Sequence, residues 1–246
     1  MGSGNTILLI HGFMGSHLYW KKVIPVLAEE FRVVAIDLPG HCDSANITEE
    51  PTIESFSDLI KDLLDSLNIK QSTMFGHSLG GYITLAFAEK YSHYLNAFAL
   101  IHSTALPDTE EAKNGRLATI EKVKKDGVQG VVDGLVPKLF SPLHLQKNSQ
   151  DIELAKEIGY KTSVDGTINA LLSMRNRPDR NHVLESTTLP VLLLAGKEDQ
   201  IIPSEKTFSV KKENIKQSII VDSGHMSMLE SPKRLIKEMK DFLASI

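Results

Sequence analysis

Six apolar runs of strand length punctuate the chain, and none of them alternates between apolar and polar residues. They are Thr6 to Ile10 (TILLI), Arg32 to Ile36 (RVVAI), Ser72 to Phe75 (STMF), Ala97 to Ile101 (AFALI), Val191 to Ala195 (VLLLA) and Ser218 to Val221 (SIIV). A strand with one face in water shows a period of two, whereas a continuous apolar run is the mark of a strand covered on both faces, as in a parallel sheet. Helical periods lie between the runs. Trp20, Val23, Ile24 and Leu27 make one apolar stripe, and Ile53, Phe56, Ile60, Leu63, Leu64 and Leu67 make a second. A third, Leu235, Met239, Phe242, Leu243 and Ile246, is entered through Ser231 as N-cap and Pro232 at the first helical position. Strand alternating with helix implies crossover connections and a doubly wound, mostly parallel α/β sheet.

The rhythm breaks after Ile101. From Thr104 to Thr188 there are only polar, glycine-punctuated helical segments, around Leu117 to Val123, Val128 to Leu139, Ile152 to Ile158 and Ile168 to Met174. Strand rhythm returns at Pro190. The expectation is therefore one α/β core from residues 1–103 and 189–246, carrying a helical lid at 104–188 above the carboxyl ends of the strands, where open sheets of this kind bind ligands. A chain of 246 residues is long enough for that arrangement.

Chemistry is concentrated where runs end. Gly76-His77-Ser78-Leu79-Gly80 follows one run and opens a helical segment. A serine at such a tight strand-to-helix turn is held in a strained backbone conformation, and its neighbours two positions away must lack side chains. A serine hydroxyl is a poor nucleophile near neutral pH and needs a base, itself oriented by an acid. His225, in VDSGHMSM after the last run, and Asp199, in AGKEDQIIP after the fifth, are the candidates. Asp222 and Asp37 compete as the acid: Asp222 precedes His225 by only three residues, and Asp37 opens a loop. Chain order Ser78, Asp199, His225 is the order of one known hydrolase arrangement. The loop His11-Gly12-Phe13 after the first run can aim the Phe13 N–H at a substrate carbonyl, with the N–H of Leu79 as second donor, making an oxyanion hole. His11 itself reads as a brace for that loop. His102, at a strand end facing the presumed cleft, reads as a hydrogen-bonded residue of the cleft rim in preference to one that touches substrate.

The segments HGFMGS, AIDLPGHCDS, GHSLGG, AGKEDQIIP and SGHMSMLESP, in this order, resemble the α/β-hydrolase superfamily over nearly the full chain. Among its members the chain is similar to small lidded serine esterases, including bacterial carboxylesterases and meta-cleavage-product hydrolases. The resemblance implies hydrolysis of a carboxylic ester or thioester without a cofactor, and equally admits C–C bond hydrolysis, cofactor-free perhydrolysis or ligand binding without turnover. Family members carry a hairpin before the first HG strand; here that strand opens the chain, so a sheet of about six mostly parallel strands is expected. Their P-G-H-G loop has Cys42 at its second glycine here. A loop that needs positive φ there is expected to relax around Cys42.

Other classes are disfavoured. With 27 basic and 31 acidic residues the net charge is -4, which is no footprint for nucleic acid or an anionic membrane. One cysteine allows no internal disulfide, no run is long enough for a membrane span, and the start lacks a signal-peptide pattern, so a cytoplasmic location is expected. No metal-ligand spacing joins the histidines and no phosphate-binding glycine loop is present, so no metal or cofactor is expected. The sequon Asn46-Ile47-Thr48 is read as chance in such a protein. The expected partner is a small, mostly apolar ester; Leu135, Leu139, Leu171 and Met174 either line an acyl pocket or, as the default reading, only fasten the lid to the core. Charges of both signs in the lid single out no charged substrate.

Overall fold

A computed structural model describes residues 1–46 and 51–246; Ile47 and Thr48 of the sequon lie outside the described residues. Six strands form one sheet: β1 (Thr6–Ile10), β2 (Arg32–Ile36), β3 (Ser72–His77), β4 (Leu95–Ile101), β5 (Val191–Gly196) and β6 (Ile215–Ile220). Their order is β2-β1-β3-β4-β5-β6, and each neighbouring pair is parallel. The continuous apolar runs are explained by this order. Ile7, Leu8, Leu9 and Ile10 of β1 and Leu192, Leu193 and Leu194 of β5 are wholly buried, because their odd and even residues enter different cores. Leu8 and Ile10 join the cluster under α2 (Ile53–Ser66) and α3 (Leu79–Tyr91). Ile7 and Leu9 join Trp20, Leu27, Met239 and Phe242 on the opposite face, under α1 (Ile24–Leu27) and the last helix. Each such side chain contributes about 1.5–3 kcal/mol.

Three local expectations are corrected. The Trp20 to Leu27 stripe is not one helix but a 3₁₀ turn, His17–Trp20, followed by the single turn of α1. Pro25 lies at the start of α1, where its missing N–H is harmless; within a longer helix it would remove a bond and clash. The last run ends the edge strand β6 and runs one residue past it, so Ile219 and Val221 are about half exposed, at 46% and 49%, instead of covered on both faces. Ser231 does occupy the N-cap position, but its hydroxyl donates to the Asp222 carbonyl at 3.2 Å and makes no side-chain cap. A side-chain cap does form at α2, where Thr52 and Ser55 satisfy each other's N–H groups, an arrangement worth about 1 kcal/mol.

Between β4 and β5 the chain makes α4 (Glu110–Asp126), α5 (Gln129–Leu139), α6 (Ser149–Tyr160), α7 (Val164–Asn176) and α8 (Asn181–Ser186). α4 packs on α7 and α5, and α5 on α6. Short helices α9 (Ser204–Thr207) and α10 (Ser227–Glu230) follow β5 and β6, and α11 (Pro232–Leu243) closes the fold. No helix among the described residues is long and apolar enough to cross a membrane.

Candidate active site

Parallel register brings strand ends to one edge: Ile10 pairs with Gly76, His77 with Ile101, Ile101 with Leu194 and Gly196 with Ile220. Ser78 stands at the turn from β3 into α3 with φ 52° and ψ -114°, a left-handed conformation that costs a residue with a Cβ on the order of 1–3 kcal/mol. Its N–H donates to the Ile101 carbonyl at 3.0 Å, and its own carbonyl accepts from the Ser103 hydroxyl at 2.8 Å. The flanking glycines are required by close approach. A Cβ on Gly76 would lie 2.3 Å from the Gly80 carbonyl oxygen, and one on Gly80 would lie 2.5 Å from that of Ile10.

Asp199 and His225 come together across 26 residues of sequence: Nδ1 of His225 lies 2.7 Å from Oδ2 of Asp199, with both residues buried. The other carboxylate oxygen of Asp199 accepts the N–H groups of Ile201 at 2.8 Å and Ile202 at 2.9 Å. Burial alone raises the Asp199 pKa, but the charge of His225 and hydrogen bonding from the neighbouring histidines outweigh it and hold the carboxyl well below its usual range. Since an aspartate cannot donate in that state, Nδ1 of His225 carries the proton. Of the two competing acids, Asp37 is engaged by the N–H of His17 at 2.6 Å and its ring at 2.9 Å, and Asp222 by Arg234 at 3.4 Å.

Ser78 and His225 open on a shared cavity of about 510 Å³. Phe13 and His77 line it from the core, and Leu135, Leu139, Leu171 and Met174, the four apolar residues singled out in the sequence, line it from α5 and α7. Leu79 is wholly buried; as the first residue of α3 its N–H has no i-4 carbonyl within the helix. His11 braces two loops, with Nδ1 bonded to the Gly12 carbonyl at 2.7 Å and Nε2 accepting the N–H of Leu38 at 2.9 Å. His77 donates Nε2–H to the His225 carbonyl at 2.9 Å. Burial depresses the pKa of both His11 and His77 well below the usual value, so each is a neutral structural ring.

Two residues near this pair have no signature in the spacing of the sequence. His102 is not on the rim: it is wholly buried at φ 48°, bonded through Nε2 to the Ser227 hydroxyl at 2.7 Å, with Nδ1 at 3.5 Å from Asp199 Oδ2. Histidines far apart in sequence thus meet in space, the rings of His77, His102 and His225 lying 5.0–6.0 Å apart. Glu230, also buried, accepts from the N–H groups of Gly224 at 2.9 Å and Met226 at 3.2 Å, flanking His225, and with its second oxygen from the N–H of Ser141 at 2.8 Å. The N–H of His225 donates to the Leu139 carbonyl at 2.7 Å. The histidine loop is thereby fastened to the segment that follows α5. The lone carboxylate of the HMSMLES stretch, close after His225, was the available signal for Glu230.

Cys42 also departs from expectation. It keeps φ 48°, so the loop has not relaxed around it, and burial raises its thiol pKa, which disfavours the reactive thiolate. No group of three or more potential ligand residues that could hold a metal ion occurs among the described residues.

Comparison with known proteins agrees with this fold. A thermophilic esterase from Thermogutta terrifontis, in a malate-bound form, superposes with a TM-score of 0.95 at 30% identity over 100% of this chain and 91% of its own. The 3-oxoadipate enol-lactonase 1 of Acinetobacter baylyi is 26% identical over 94% of this chain and 85% of its own length. The dihydrolipoyllysine-residue acetyltransferase component of the acetoin cleaving system of Pseudomonas putida is 29% identical over 98% of this chain, which spans 64% of that protein's length. The family model described as the alpha/beta hydrolase fold matches residues 5–232, and the chain belongs to that family of hydrolases.

Proposed function

We propose that the protein is a serine hydrolase that cleaves a carboxylic ester or thioester of a small acyl group through an acyl-enzyme. Ser78 Oγ attacks the carbonyl carbon while its proton passes to Nε2 of His225. Asp199 holds Nδ1–H of that ring and stabilises the imidazolium that forms. The N–H groups of Phe13 and Leu79 receive the oxyanion, each such donor being worth about 3–4 kcal/mol in the transition state. The bond to the leaving alcohol or thiol then breaks as His225 returns the proton to it. In the second half, His225 takes a proton from water, the hydroxide adds to the acyl carbon, and Ser78 leaves with the proton restored. The helical segment at 104–188 acts as a lid whose α4, α5 and α7 faces select the acyl group.

The observation that carries this reading is the buried Asp199–His225 pair at 2.7 Å, opening on the cavity that also receives the strained Ser78. Intact mass after treatment with a fluorophosphonate tests it. The expected result is one adduct on the wild type and none on Ser78→Ala, with kcat for nitrophenyl esters lowered on the order of 10⁶-fold in the variant. Near-wild-type turnover by Ser78→Ala would overturn it.

A further inference from the structure

The charge on the cavity wall is not the charge of the chain. The net charge is -4, yet the residues lining the cavity include Arg116, Lys122 and Lys138 and no aspartate or glutamate. The helical period accounts for the sorting. On α4 the residues that face the cavity, from Ala112 through Arg116 and Thr119 to Lys122, fall on one stripe, as do those on α5 from Val131 through Leu135 to Lys138. Carboxylates of the same helices point elsewhere. Glu110 is paired with Lys113 at 2.7 Å, Glu121 with Lys124 at 2.9 Å, and Asp133 accepts from the Tyr160 hydroxyl.

The cavity cations are under-compensated as well. Asp108 is bonded to both Arg116 and Arg177, so one carboxylate serves two guanidinium groups. Lys122 reaches only the Gly130 carbonyl, at 3.5 Å, and Lys138 has no hydrogen bond or ion pair among the described residues. Gly115 and Gly134, within α4 and α5, face the same space, and a Cβ on either would meet nothing within 4 Å. The cavity that receives Ser78 therefore combines apolar side chains, Leu135, Leu139, Leu171 and Met174, with an open, positive stretch along α4 and α5.

We infer that the substrate is an ester carrying a free carboxylate, its apolar carbons lying against the leucines and its acid held between α4 and α5 by Lys122 and Lys138, with Arg116 behind. This rests on the serine hydrolase reading, and it goes beyond the sequence expectation, which singled out no charged substrate. A pocket that concentrates one sign of charge favours association with the opposite sign, and the effect weakens as salt screens it.

The test compares kcat/KM for 4-nitrophenol release from mono(4-nitrophenyl) glutarate with that from its methyl ester, which has the same acyl chain but no charge, using wild type and the double variant Lys122→Gln, Lys138→Gln. A second pair, butyryl glycolate and butyryl glycolamide, places the acid on the alcohol side. In at least one pair the charged ester is expected to be preferred about fivefold or more at low salt, with most of the preference lost in the double variant and at 0.5 M salt, on the order of what two partly exposed ion pairs supply. Calorimetry of glutarate on Ser78→Ala gives a readout independent of turnover, with weaker binding expected once the two lysines are also replaced. Turnover of both members of each pair without charge preference, or with a preference untouched by the lysine changes, overturns the carboxylate subsite and leaves the hydrolase intact. Lysine-dependent glutarate binding by a protein that hydrolyses none of the four esters overturns the hydrolase reading and leaves the subsite standing.

Discussion

The strand-end edge and the helical segment between β4 and β5 build opposite walls of one cavity by different means. At the strand ends, position is set by backbone: register places Gly76 beside Ile10, Ser78 is forced to positive φ, and Gly80 is pressed to within van der Waals limits of β1. Along α4 and α5, position is set by a helical stripe, and two glycines face empty space. Backbone register is over-determined by every bond in the sheet, whereas residues on a stripe can be exchanged one at a time. On the proposed function, one wall is thus fixed for chemistry and the other is free to tune what enters.

Acid should attack the first wall before the second. His11, His41, His77 and His102 all sit in the strand-end region, wholly buried, and burial lowers the pKa of each, that of His41 to about 4. A histidine whose folded pKa is lowered is neutral in both states above about pH 6.5; below it the unfolded chain binds a proton that the folded one does not. Stability is therefore fully present above pH 6.5 and is lost as pH falls towards the folded value. Each of these histidines costs up to about 1.4 kcal/mol per pH unit in that window. Urea unfolding from pH 7.5 to 4.5 should show the midpoint dropping steeply below pH 6.5, and a flat midpoint down to pH 5 would show that the strand-end histidines ionise in place.

How far each wall was legible follows the same division. The TILLI and RVVAI runs give β1 and β2 to the residue, and Ser78, Asp199 and His225 were named from their places after runs, because a parallel sheet sends every strand end to one edge. His102 and Glu230 were not assigned their roles, since the contacts of His102 with Asp199 and Ser227, and of Glu230 with Ser141, join segments whose proximity depends on packed loops. The loop was expected to relax around Cys42, yet the bonds from His41 N–H to Leu38 and from Ser44 N–H to His41, both 3.0 Å, accompany its left-handed turn. The charge of the cavity was hidden for a further reason. Composition counts acids and bases equally wherever they point, and only the phase of α4 and α5 separates Lys122 and Lys138 from Glu121 and Asp133.

One substitution made in both walls sharpens the contrast. Gly80→Ala would place a Cβ 2.5 Å from the Ile10 carbonyl oxygen and 2.8 Å from that of His11. Both obstacles are backbone and cannot rotate away, so the elbow or β1 must move, at a cost of about 3 kcal/mol or more. Lowered urea stability together with loss of fluorophosphonate labelling is expected; full stability with full labelling would mean that the elbow is less tightly seated than its contacts indicate.

Gly134→Ala should do the reverse. The residue lies inside α5, has no positive φ, and its new methyl would meet no atom within 4 Å. Glycine in a helix interior is less stable than alanine by roughly 0.5–1 kcal/mol, mostly through the entropy of the unfolded chain, so the variant should gain about that much. A small upward shift of the urea midpoint, with an unchanged slope, checks it. Because the methyl enters the cavity, the gain should be accompanied by a higher KM for long acyl chains while short ones are turned over as before. Stabilisation without a chain-length effect would place bound substrate away from α5, and destabilisation would mean that α5 sits closer to its neighbours when the cavity is closed.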